Sequence, residues 1–202
     1  MGKLAIVAQF RNRPIDIMSI VLVSDVFGKT PALVQLSEAL NGKVIVDPYD
    51  GKDMNFANEA EAYAYFMAEV GFEVYLAKLK KALVPSQSVS TLIGFSIGAS
   101  LVWKLSESVD CDLVKRATCF YGSQIRNLTE VAPKIDIELI FPKSEPHFNV
   151  SELIVNLSKT PRVTTTQVDY LHGFMNFYSD NFNQQAYNEH LELLRGRIHE
   201  TS

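Results

Sequence analysis

Ser90-Thr91-Leu92-Ile93-Gly94-Phe95-Ser96-Ile97-Gly98-Ala99-Ser100 is the stretch on which the rest of the chain is organised. It reads as an apolar strand, a tight turn and then a helix continued by Leu101, Val102 and Leu105. The turn is Gly-x-Ser-x-Gly with Ser96 at its centre, the pattern of a nucleophile elbow. Such an elbow holds its serine in a strained turn, so that the hydroxyl stands clear of the sheet. Glycines on either side let strand and helix approach closely. The N–H of Ile97 would open the helix and face the space above Ser96, where the helix dipole favours negative charge. The plain alternative is a strand-to-helix turn whose serine merely caps the helix.

Strand and helix patterns alternate outward from this point. Upstream, Ile15 to Val23 is rich in β-branched residues and pairs in expectation with the short run Leu4 to Ala8. Thr30-Pro31 predicts a helix with Thr30 as N-cap, and Asn41-Gly42 stops it. Lys43 to Val46 is the next strand. A long helical pattern runs from about Glu59 to Leu83, with Tyr63, Phe66, Met67, Val70, Val74 and Ala77 as its core stripe. Gly71 stands inside it as an interruption or kink, and Pro85 ends it.

Downstream, Ala117 to Tyr121 and Ile135 to Phe141 read as strands. Asn149 reads as an N-cap with Glu152 three residues on. Arg162 to Val168 is the last strand, and a helix follows from about Phe182 to His199. This alternation predicts an α/β fold, a mostly parallel central sheet with helices on both faces. The 202 residues read as a single domain, 1–202, with no stretch long enough for a separate lid domain.

In parallel sheets, sites form at the carboxyl ends of the strands. Ser96 follows the elbow strand, Glu145 follows the Ile135–Phe141 strand, and His172 follows the last strand. The order Ser, acid, His is that of the α/β-hydrolases. A serine hydroxyl needs a neighbouring base, which His172 can be near neutral pH, and a carboxylate to orient that base. His147 sits in another loop, and His190 and His199 lie on the last helix as solvent-facing residues. Asp136 opens its strand, roughly 17 Å from the carboxyl end at about 3.3 Å per residue, and is excluded. Asp169, three residues before His172, is the rival to Glu145. The loop Asp25-Val26-Phe27-Gly28 offers the N–H of Val26 as a second oxyanion donor beside Ile97. Asp25 itself reads equally as a turn residue or as a side chain at the site.

With these residues placed, the sequence resembles the dienelactone hydrolase family of α/β-hydrolases along nearly its whole length. The resemblance runs through Val21-Leu22-Val23-Ser24-Asp25-Val26-Phe27-Gly28, Val46-Asp47-Pro48-Tyr49, Gly94-Phe95-Ser96-Ile97-Gly98 and Phe120-Tyr121-Gly122. It continues through Lys143-Ser144-Glu145-Pro146 and Leu171-His172-Gly173-Phe174-Met175-Asn176. It implies the nucleophile, acid and base positions for Ser96, Glu145 and His172, and the oxyanion positions for Val26 and Ile97. Asp25 takes the place of an acidic residue that contacts the nucleophile in some members. The namesake enzymes use Cys where this chain has Ser96, usually Asp where it has Glu145, and an arginine shortly after the histidine, where it has Asn176. Those departures move the expected substrate from dienelactone to a small carboxylic ester or lactone.

Phe27, Tyr49, Tyr121, Phe148 and Met175 follow strand ends and are expected to line the substrate pocket, with Asp25 and Asn176 beside them. No metal or organic cofactor is expected. The net charge of −4 points to neither nucleic acid nor an anionic membrane as partner. Lys78, Lys80 and Lys81 read as a solvated helix end. Two cysteines, Cys111 and Cys119, lack metal-ligand spacing, and Cys119 reads as core. No apolar run reaches transmembrane length or forms a signal peptide, so a cytoplasmic protein is expected. The rival function is a non-catalytic relative that binds a small ligand or a partner protein. Within enzymes, it is a thioesterase or a peptidase.

Overall fold

The apolar runs become parallel strands in a computed structural model that describes residues 19–42, 44–83, 89–110 and 113–199. In chain order the elements are β1 (Ser19–Val23), α1 (Pro31–Ala39), β2 (Val44–Val46), α2 (Glu59–Glu69), α3 (Gly71–Leu83), β3 (Val89–Phe95) and α4 (Ile97–Leu105). Then come β4 (Arg116–Phe120), a 3-10 turn η1 (Ser123–Asn127), β5 (Asp136–Phe141), α5 (Val150–Leu157), β6 (Val163–Gln167) and α6 (Gln184–His199). The expected Leu4–Ala8 strand, Pro85 and Cys111 lie outside the described residues.

The six strands lie in the order β2-β1-β3-β4-β5-β6, all neighbours parallel. The order reverses between β1 and β3, the switch point where such sheets leave a crevice at their carboxyl edge. Alternate side chains enter two cores. Val21, Val23, Leu92, Cys119 and Leu139 pack on one face under α2 to α5. Ile20, Leu22, Ile93, Phe120 and Ile140 pack on the other under α1 and α6. The sheet is therefore covered on both faces, as near-continuous apolar strands require.

Local signals place the helix ends. The Thr30 side chain accepts from the N–H of Leu33, with Pro31 opening α1. The Asn149 side chain accepts from the N–H of Glu152 at the start of α5.

Two expectations need correction. The pattern from Glu59 to Leu83 is two helices, because the chain leaves helical geometry at Val70 and Gly71 takes φ +74°. That break resets the phase of the apolar stripe. Past the break Val74 is exposed and the burial passes to Tyr75, Leu76, Leu79 and Leu83, while on α2 itself Phe66 is buried as expected but Tyr63 and Met67 are exposed. His190 is not solvent-facing. Its ring packs 4.9 Å from that of Phe174 and 5.7 Å from that of Phe120. Its Nδ1–H donates to the carbonyl of Ala186, which satisfies the buried polar edge.

α4 is buried on nearly every side and presses directly on the sheet. Gly98 makes this possible, because a Cβ there would strike the carbonyl groups of Val23 and Ser24. Backbone on both sides leaves no flexible atom to give way. Gly98→Ala should cost about 1–3 kcal/mol by overpacking. A urea unfolding curve checks this, and an unchanged midpoint would refute the close contact.

Candidate active site

The elbow forms where β3 turns into α4. Ser96 adopts φ 51°, ψ −113°, a conformation that side-chain-bearing residues avoid, and its N–H donates to the carbonyl of Phe120 at 2.9 Å. Its side chain makes no helix-capping bond. Instead the Oγ lies 2.9 Å from Nε2 of His172. The capping alternative raised by the sequence therefore fails.

His172 is held from behind. Its Nδ1 lies 2.7 Å from Oε1 of Glu145, whose side chain is only 7% exposed. A carboxylate accepts only, so Nδ1 carries the proton and Nε2 is left as the acceptor facing the Ser96 hydroxyl. Two features bring the loops together. The N–H of Lys143 donates to the carbonyl of Tyr170 at 2.7 Å, which ties the loop after β5 to the loop after β6. Glu145 and Phe148 then close a tight antiparallel bridge that turns the carboxylate inward. The Asn181 amide donates to the carbonyl of His172, and the Tyr121 ring lies 4.9 Å from the imidazole.

The rival carboxylates lie elsewhere. Asp169 is 95% exposed at its side chain and 3.9 Å from Lys143. Asp136 pairs with Arg162 at the far edge of the sheet.

Burial opposes charge on His172. The bond to Glu145 and the charges of Glu145, Glu59 and Asp25 outweigh it, and the imidazole pKa is raised. Glu59 opens α2 and brings Oε1 to 3.8 Å from Nε2. Burial also pushes the Asp25 carboxyl up to about 6, against the N–H of Phe27 and the Asn176 amide that bind its anion.

The N–H groups of Val26 and Ile97 meet no protein acceptor among the described residues. For Ile97 this follows from its place at the first turn of α4. The Val26 loop is held by Tyr49, whose hydroxyl donates to the Val26 carbonyl at 2.7 Å. The buried Tyr75 hydroxyl adds bonds to Ser24 Oγ and to the carbonyls of Ser24 and Val46.

The pocket differs from the one expected. A cleft of about 370 Å³ opens on Ser96, Glu145 and His172, and its walls are Glu59, Ala60, Tyr63, Ser123, Gln124, Arg126, Pro146 and His147. Asp25, Tyr121, Met175 and Asn176 instead border a separate cavity of about 20 Å³, no larger than a water needs. Phe27, Tyr49 and Phe148 border neither. Tyr49 supports the Val26 loop, Phe27 packs in the core, and Phe148 lies beneath the Arg126 guanidinium, 5.3 Å from ring centre to cation. The wall residues that sequence reading missed come from the first turns of α2, from η1 and from the loop after β5. All three follow strands, so all begin at the sheet's carboxyl edge. That was the available signal, but the apolar spacing of Tyr63 pointed to core.

The fold occurs in known structures. Mouse alpha/beta hydrolase domain-containing protein 10 superposes with a TM-score of 0.63 at 9% identity, over 91% of this chain and 90% of that one. The fold is that of the α/β-hydrolases. A dienelactone hydrolase from Anabaena variabilis matches this α/β-hydrolase fold with a TM-score of 0.60 at 12% identity, over 89% of this chain and 84% of that one. Est1E from Butyrivibrio proteoclasticus matches with a TM-score of 0.58 at 9% identity, over 94% and 90%. By sequence, the chain is 27% identical to YczH, an uncharacterized protein of Bacillus subtilis (strain 168), over 87% of this chain and 90% of that protein. No family model matches. Among the described residues, no helix is long and apolar enough to cross a membrane, and no group of three or more His, Cys, Asp or Glu side chains is placed to hold a metal.

Proposed function

We propose that the protein is a serine hydrolase that cleaves a carboxylic ester or lactone through an acyl-enzyme on Ser96. The observation that carries this is the unbroken relay of Ser96 Oγ, His172 Nε2, His172 Nδ1 and Glu145 Oε1, with links of 2.9 and 2.7 Å. Such a serine has no capping work and sits in a strained turn, the arrangement that exposes a nucleophile.

Ser96 Oγ attacks the carbonyl carbon while Nε2 takes the hydroxyl proton. Glu145 stabilises the imidazolium without taking the proton. The carbonyl oxygen becomes an oxyanion and receives the free N–H groups of Val26 and Ile97. The tetrahedral centre collapses, the C–O bond to the leaving group breaks, and His172 returns its proton to the departing alkoxide. Water then repeats the sequence on the acyl-enzyme, with its proton passing through His172 and back to Ser96. For a lactone, the alkoxide stays tethered to the acyl group.

A small fluorophosphonate tests the nucleophile directly. Intact mass should show one adduct on the native protein and none on Ser96→Ala. An unlabelled native protein, or a labelled variant, would overturn the assignment of Ser96.

A further inference from the structure

The exposed stripe of α2 leads to a second cavity. Tyr63, Phe66 and Met67 lie at three- and four-residue spacing, on one face of the helix. Phe66 is buried, whereas Tyr63 is 43% exposed and Met67 55% exposed. Phe66 belongs to the core, and Tyr63 and Met67 on either side of it are left outside. Together with Phe72, Ile97 and Leu128 these three border a groove of about 260 Å³.

The groove adjoins the cleft at Ser96. Tyr63 and Gln124 border both spaces. Ile97, whose N–H faces the oxyanion position, also borders the groove. The polar groups Glu73, Lys104 and Asn127 stand on its rim.

The chemistry of Ser96 decides which part of a substrate enters. The leaving oxygen must reach Nε2 of His172, so the leaving group occupies the cleft that His172, Pro146 and His147 border. The groove includes Ile97 but not His172. The acyl group is what remains to fill it.

Resting on the proposed hydrolase reading, we infer that this groove is an acyl-binding subsite selecting esters with an extended apolar acyl group. At about 30 Å³ per heavy atom, roughly the share of a water in the liquid, it holds on the order of eight carbons or one aromatic ring. Each methylene buried should raise kcat/KM by about twofold to fourfold, the upper figure for complete burial.

The test is a series of p-nitrophenyl acetate, butyrate and hexanoate, run on the native protein, Met67→Glu and Met67→Leu, with fluorophosphonate labelling alongside. Met67 touches none of the reacting groups and is half exposed, so the substitution leaves the fold intact. Over the four methylenes from acetate to hexanoate, the expected result is a rise in kcat/KM of roughly 15-fold to 250-fold. Met67→Glu should lose most of that rise, read as the ratio of its hexanoate to its acetate kcat/KM, and Met67→Leu should keep the rise. A flat or falling profile in the native protein, or the native profile in Met67→Glu, overturns the subsite and leaves the hydrolase reading standing. So does labelling of Ser96 without hydrolysis of any of the three esters. Neither labelling nor hydrolysis sinks the hydrolase reading, and the subsite with it.

Discussion

Replacing Ser96 by alanine lowers kcat on an activated carboxylic ester by roughly 10⁴-fold or more, the scale of loss seen when one member of a nucleophile–base–acid unit is removed. The magnitude follows from the mechanism. In the proposed mechanism no acyl-enzyme forms without the Oγ, and what would remain is the N–H groups of Val26 and Ile97 acting on water attack. Unfolding cannot explain such a loss, because the Ser96 side chain caps no helix and its bond is to His172. Alanine has to tolerate φ 51° as serine does, which adds no new strain. Steady-state kinetics with an unfolding curve on the same sample separates the two effects. A loss of less than tenfold would remove Ser96 from the mechanism.

The second large effect belongs to Glu145. Glu145→Gln should lower kcat by about 10³–10⁴-fold. A glutamine amide can donate to Nδ1, which would place the imidazole proton on Nε2 and leave no acceptor for the Ser96 hydroxyl. Asp169→Asn is the control, because that carboxylate is solvated and its nearest cation is 3.9 Å away. It should stay within twofold of the native rate. The reverse pattern would show that Asp169 is the acid.

The pH profile adds an independent sign. A general base works as neutral imidazole, so in the proposed mechanism kcat/KM should fall as pH drops through the His172 pKa, which lies above the ordinary value for the free enzyme. Burial pushes that pKa down, and the Glu145 bond is the largest influence raising it. Glu145→Gln removes both the bond and the charge, so the acid limb should move to lower pH.

Much of this molecule is written locally. Thr30-Pro31, Asn149 and the glycine-flanked Ser96 each act through backbone groups within a few residues, so sequence alone locates those turns. Alternating apolar runs are enough to require a sheet covered on both faces. Because parallel strands all end at one edge, the sequence also determines that the loops carrying Ser96, Glu145 and His172 open on the same side. The rest depends on contacts between distant segments. Glu145 rather than Asp169 meets His172 because the Lys143–Tyr170 bond and the Glu145–Phe148 bridge turn that side chain inward, and neither is visible in composition or spacing. The helix break at Gly71 changes which face of the following helix is buried, and a periodic pattern cannot register a change of phase between two helices. Apolar spacing says that a side chain avoids water, not what covers it. Only the tertiary structure decided that His190 goes into the core while Tyr63 and Met67 are left to border an open groove beside the Ser96 cleft.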